Sequence, residues 1–127
     1  MSSTPRELID CAALMLSAAK DEPSYRAVCS RAYYAAYHAA YAFHSGLPQP
    51  GSVGSATGKH AQLIAQLANP QCGKQNKKFA VSQALGKTMR LLLDARVKAD
   101  YSIHLEVNQV LAADTTTGAE LVVQRSA

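Results

Sequence analysis

The chain has 127 residues, 48% of them hydrophobic and 17% charged, which is one domain's length with enough apolar side chains for a core and too few charges for a disordered chain. Thirteen Lys and Arg against nine Asp and Glu give a formal charge of +4 and a pI near 9.1, a balance that attracts polyanions without amounting to a dedicated basic tail. The longest apolar stretch, Ala35 to Phe43, is interrupted by His38 and falls short of the roughly 20 residues of a membrane span. The opening MSSTPRELIDCAA has neither the basic nor the apolar region of a secretory signal, so a cytoplasmic protein without membrane association is expected. Cys11, Cys29 and Cys72 are far apart and form no C-x-x-C pair, which favours reduced thiols over zinc or dithiol chemistry.

Helical signals follow one another along the chain. Thr4-Pro5-Arg6-Glu7 is a T-x-x-E capping box with proline at the first helical position, and Leu8, Ala12, Met15, Leu16 and Ala19 continue at helical spacing, predicting a helix over about 5–19. After the turn at Asp21 to Pro23, an alanine-rich run proceeds without a breaker to Gly46 and predicts the longest helix. Residues 45–58 hold two of the five prolines and four of the seven glycines, the composition of a loop. Helices are then expected over Lys59 to Asn69, with Leu63, Ile64 and Leu67 on one face and His60 on the same stripe, and over about Gln75 to Ala99. Ile103, Val107, Val110 and Leu111 keep helical spacing, whereas TTTGAELVV reads equally as helix, frayed end or short strand. The expected class is all-α: an antiparallel bundle of four or five helices in a single domain over 1–127, with its core over about 5–112.

Two patterns bear on chemistry. Gly58-Lys59 invites a P-loop reading, but Val53 stands where that motif needs glycine and His60 where it needs Ser or Thr. On the long helix, Arg31 and His38 are seven residues apart, hence within about 20° of one another and about 10 Å apart along the axis, and Tyr34 and Tyr41 share their stripe. Guanidinium, phenol and imidazole on one face can hold a phosphate, stack on a base and move protons near neutral pH, the requirements of metal-independent RNA cleavage. Because helical side chains tilt toward the N-terminus, Arg31 leans away from His38 of its own chain. Two copies crossing antiparallel near Tyr34 and Ala35, over the alanine-rich surface, would bring Arg31 of one toward His38 of the other. The bland reading is a packing helix with Arg31 paired to a carboxylate and His38 as a hydrogen-bonded core residue. Secondary candidates are His60, which also reads as a satisfied interior histidine, and the cluster Arg96, Asp100, Tyr101 and His104, which also reads as an i,i+4 ion pair plus a carboxylate capping the next helix. The four histidines have no H-x-x-x-H or H-E-x-x-H spacing, so neither a metal nor a cofactor is expected.

The string Ser30-Arg31-Ala32-Tyr33-Tyr34-Ala35-Ala36-Tyr37-His38-Ala39-Ala40 resembles the tyrosine helix of small prokaryotic members of the HEPN superfamily (higher eukaryotes and prokaryotes nucleotide-binding). Gly58-Lys59-His60 and Arg96-Val97-Lys98-Ala99-Asp100-Tyr101 are similar to that branch's histidine after the central loop and its R-x-x-A-D-Y ending, so the resemblance spans about residues 5–112. It implies a helical bundle, commonly a homodimer, often encoded beside a minimal nucleotidyltransferase as a toxin–antitoxin pair. It also implies a ribonuclease that uses Arg, four to six residues, then His, a pattern Arg31 and His38 meet at its upper limit. Two departures are visible: Ala32 stands where active members carry a polar residue, and the junction before the last helix, the motif's usual place, carries Asp100 where a histidine is expected. The alternative implied is a non-catalytic domain that binds a nucleotide or the partner nucleotidyltransferase.

Overall fold

A computed structural model describes residues 2–127. Five helices, α1 (Pro5–Ala18), α2 (Glu22–Ser45), α3 (Lys59–Ala68), α4 (Lys77–Tyr101) and α5 (Gln109–Ser126), form one all-α bundle with no strand among the described residues, compatible with the architecture that the resemblance implies. No described helix is long and apolar enough to cross a membrane.

Local chemistry explains where each helix begins. Thr4 and Glu7 close the reciprocal capping box on α1, while Asp21, expected only as part of a turn, is the N-cap of α2 and accepts from the Ser24 amide at 3.0 Å. Asn76 and Asn108 cap α4 and α5 in the same way. Asp100 therefore does not cap the last helix; Asn108 does, through a 2.9 Å bond from the Leu111 amide.

Helix α2 is the central element and touches the other four. Its alanines explain how: Ala32, Ala35, Ala36, Ala39 and Ala40 are all buried inside the single chain, and their small side chains let α1, α4 and α5 approach the α2 backbone. The alanine face is thus not a surface on which a second copy could cross; the face left to solvent carries Arg31, Tyr34, His38 and Tyr41. A second cluster, Val28, Cys29, Ala99, Val107 and Ala112, joins the start of α2 to the junction between α4 and α5.

Two expectations change at the C-terminal end. Ile103 lies outside any helix and is 89% exposed, since the turn after Tyr101 interrupts the apolar periodicity. The threonine run is neither frayed nor extended: α5 continues to Ser126. Thr115 and Thr116 donate to the carbonyls of Leu111 and Ala112 at 2.7 and 2.8 Å, so both hydroxyls are satisfied inside the helix. Ala119, Val122 and Val123 are core residues, so the core runs well past residue 112.

Gly86 is where α4 meets the end of α3. A Cβ there would lie 2.9 Å from the Ala68 amide nitrogen, a backbone atom that cannot turn aside. Helix propensity alone predicts a gain of about 1 kcal/mol for glycine to alanine. At this position Gly86→Ala is expected instead to cost about 1–3 kcal/mol through overpacking. Chemical denaturation decides the sign, and a stabilised variant would show that α3 yields at no cost.

The loop over residues 46–58 is tied at its base. The Gly51 amide donates to Nε2 of His44 at 3.0 Å and the Ser52 amide to the Asn69 carbonyl at 3.0 Å, which ties the loop to the last turn of α2 and to the C-cap of α3. His44 must be neutral to accept that bond, and burial lowers its pKa. His60 is also lowered, first by burial and then by the nearby charges of Arg96 and Lys59. Both imidazoles bind protons more readily unfolded, so their contribution is fully present above the unfolded value of about 6.5 and declines as pH falls through that value toward the lower folded ones. The urea midpoint is therefore expected to drop between pH 7.5 and 5.5. Asp21, held down by its hydrogen bonds to Ser24, and Glu22, held down chiefly by Arg26, act in the same direction only at more acidic pH. A midpoint independent of pH over that upper window would contradict the histidine assignment.

Candidate functional site

One cleft, about 240 Å³ in volume, opens between the middle of α2, the first turn of α3 and the last turns of α4. It is lined by Ser30, Arg31, Tyr33, Tyr34, Tyr37 and His38 from α2, Lys59 and His60 from α3, and Arg96 from α4. Two guanidinium groups, one ammonium and two imidazoles share this space, and no carboxylate lines it among the described residues.

Helix periodicity accounts for the α2 contribution. Arg31, Tyr34 and His38 are on the exposed stripe, and neither Arg31 nor His38 makes a side-chain hydrogen bond or ion pair with another described residue. Arg31 therefore has no carboxylate partner among the described residues, and His38 is not a core residue. The His38 ring meets the Tyr34 ring edge-on at 4.5 Å between centroids and the Tyr37 ring at 5.5 Å, so its orientation is set by phenols rather than by hydrogen bonds. Tyr41, expected on this stripe, is exposed and stacks on Tyr37 at 6.2 Å, but stands beyond the rim of the cleft.

The far wall is built around His60. Its Nδ1 lies 2.8 Å from the Tyr33 hydroxyl, and its ring packs 4.6 Å from that of Tyr37. Tyr33 is 2% exposed, and burial raises its pKa well above the usual tyrosine range despite the opposing charge of Arg96; it is a neutral hydroxyl. Gly58 caps α3 with φ of +83° and has no side chain to bond the first-turn amides, so the positive end of this helix dipole adds to Lys59 at the cleft.

Arg96 completes the site from α4. Its Nε bonds the Asp100 carboxylate at 3.1 Å, which also accepts from Ser30 at 3.3 Å, and its guanidinium carbon lies over the rings of Tyr33 at 5.8 Å and Tyr101 at 5.3 Å. Asp100 and Tyr101 thus reach the site through Arg96 without lining the cleft, and His104 sits in the exposed turn after α4, outside it.

Sequence reasoning had placed Arg31, Tyr34, His38, His60 and Arg96 among the candidates but missed Tyr33, Tyr37 and Lys59. The i,i+4 spacing of Tyr33 and Tyr37 carried a signal for an aromatic pair; nothing local indicated that His60 would meet it. Among the described residues no three His, Cys, Asp or Glu side chains converge as metal ligands. The arrangement can hold a singly or doubly charged oxyanion, stack a planar ring on exposed phenols, and move a proton at His38. Comparison of the chain with protein-family models, curated proteins and solved structures finds no match, so a functional conclusion rests on the chemistry of this cleft and on the residues that carry the resemblance.

Proposed function

We propose that this domain is a HEPN-type RNA endonuclease that works without a metal ion, of the kind that acts as the toxin beside a minimal nucleotidyltransferase antitoxin. The observation that carries the reading is the convergence of Arg31, Lys59, Arg96, His38 and His60 on one open cleft that no carboxylate lines among the described residues. In this reading Arg31 holds the scissile phosphate and stabilises the charge that builds on its oxygens, and Tyr34, with Tyr41 beyond it, stacks the flanking bases. His38 removes the proton from the ribose 2′-hydroxyl; the 2′-oxygen attacks phosphorus, the bond from phosphorus to the 5′-oxygen breaks, and that oxygen takes up a proton from solvent water. The products are a 2′,3′-cyclic phosphate and a free 5′-hydroxyl.

Incubation of the purified protein with mixed RNA in EDTA tests this directly: cleavage with cyclic-phosphate ends is expected. A second reading is favoured by Ala32, which is buried at the position where active members of the resembling family are polar, and by the engagement of Arg96 with Asp100. It holds that the same face binds a nucleotide or the partner nucleotidyltransferase without chemistry, and it gains the field if RNA stays intact at every protein concentration while a nucleotide complex is measurable. A homodimer belongs to the proposal as well; with the alanine face buried, its contact would run over the exposed stripe of Arg31, Tyr34, His38 and Tyr41, and sedimentation as a monomer at micromolar concentration would remove it.

A further inference from the structure

The second histidine of the cleft has been given no task, yet its surroundings are specific. The Tyr33 hydroxyl is buried and its one side-chain partner among the described residues is Nδ1 of His60, at 2.8 Å. A phenolic hydroxyl sealed from water needs an acceptor for its proton, and a neutral imidazole offers a strong one in its unprotonated nitrogen. Donation from Tyr33 therefore places the remaining ring proton on Nε2, at the opposite edge of a side chain that lines the cleft. Nε2 has no partner among the described residues, while Lys59, Arg31 and Arg96 face the same space.

We propose that Tyr33 and His60 form a preset, uncharged hydrogen-bond donor for a phosphoryl oxygen: Tyr33 locks the tautomer of His60, and the Nε2–H of His60 binds a non-bridging oxygen of the phosphodiester held by Arg31. Tyr33 is a positioning residue and His60 touches the ligand. The assignment rests on the cleft being a phosphodiester site. It separates the two histidines by task, since His38 has no side-chain hydrogen bond among the described residues that would fix a tautomer and is the base of the proposed reaction, whereas His60 is fixed and exchanges no proton in it. Two further features favour a neutral donor here. Burial, and after it the charges of Arg96 and Lys59, oppose a positive charge on His60, and burial keeps the Tyr33 proton in place. A donor already aligned needs no reorganisation when charge develops on the oxygen.

Nitrogen NMR of protein labelled in its histidine rings tests the pair without requiring turnover. His60 is expected to show a protonated Nε2 and an unprotonated Nδ1 at pH 7.5, and addition of inorganic phosphate is expected to shift the Nε2–H resonance. Tyr33→Phe, which preserves the ring's volume, should yield a mixture of tautomers and weaken phosphate binding about threefold to tenfold. His60→Ala should weaken it about tenfold, and His60→Gln, whose amide nitrogen can stand near Nε2, should recover part of that loss. A His60 protonated at Nδ1, a resonance indifferent to phosphate, or equal losses in the Gln and Ala variants would each overturn the proposal. These outcomes are separate from the fate of the ribonuclease reading: a locked, phosphate-responsive His60 in a protein that never cleaves RNA would sustain the donor and sink the nuclease, and cleavage with the opposite tautomer would do the reverse.

Discussion

His38→Ala is expected to lower RNA cleavage by about 10²–10⁴-fold, the range over which a positioned acid or base contributes, and to leave the unfolding midpoint where it was. The second half of that expectation comes from the structure. His38 is exposed and its described contacts are ring edges of Tyr34 and Tyr37, so truncation opens no cavity and orphans no buried polar group; substitutions of that kind shift stability by about 0.5 kcal/mol or less. Arg31→Ala should behave alike, losing about 10²–10³-fold for want of a cation at the developing charge, with Arg31→Lys recovering part because an ammonium supplies charge without the planar fork. Rate assays in EDTA beside thermal unfolding separate chemistry from folding. Unaltered cleavage in His38→Ala would remove it from the mechanism, and a lowered midpoint would mean that the ring is structural.

The largest loss of stability should come from a residue outside the cleft. Arg26 is 15% exposed and its Nε bonds both carboxylate oxygens of Glu22 at 2.8 Å. Its Nη1 donates to the Ala99 carbonyl at 2.9 Å and the Lys98 carbonyl at 3.2 Å, and Nη2 to the carbonyls of Ile103, at 3.3 Å, and Leu105. Glu22 in turn accepts from the Val107 amide at 2.8 Å. One guanidinium thus gathers carbonyls from the end of α4 and the turn after it and, through its partner, orders the turn into α5. Arg26→Met fills similar space but removes the charged donor from the Ala99, Ile103 and Leu105 carbonyls and from the Glu22 carboxylate, which keeps only the Val107 amide; the loss should be on the order of 2–3 kcal/mol, a large share of a small domain's stability. Arg26→Lys should recover only part, because an ammonium cannot reach acceptors on several sides of the fork. Urea unfolding checks this, and a loss below about 1 kcal/mol would mean that water replaces the guanidinium freely. The clasp also matters to the site, since the segment it secures begins where Arg96, Asp100 and Tyr101 end α4.

What was legible along the chain was whatever repeats with a helix's own period or is fixed by neighbours three or four residues away. The capping box of Thr4 and Glu7, the stop near Gly46 and the shared stripe of Arg31, Tyr34, His38 and Tyr41 are of this kind. The spacing of Arg96 and Asp100 likewise announced their ion pair, as that of Glu22 and Arg26 could have done, although spacing gave no hint that Arg26 would also gather carbonyls from a turn more than seventy residues away.

Periodicity does not say which stripe of an alanine-rich helix faces inward, and here the small residues bury within the chain together with Tyr33, while the phenols of Tyr34 and Tyr41 and the imidazole of His38 stay out. The threonine run of α5 looked ambiguous because β-branched residues are weak helix formers. Packing of Ala119, Val122 and Val123 into the core, with each buried hydroxyl returned to its own helix, outweighs that preference. By itself, then, the sequence determined an all-helical chain and the chemical character of one face of α2. Only the tertiary structure decided that Lys59, His60 and Arg96 join that face and Tyr41 and His104 stand outside. Helical spacing governs neighbours on one rod, whereas the meeting of Tyr33 with His60, 27 residues apart, depends on how a tied loop and close helix contacts place one rod against another.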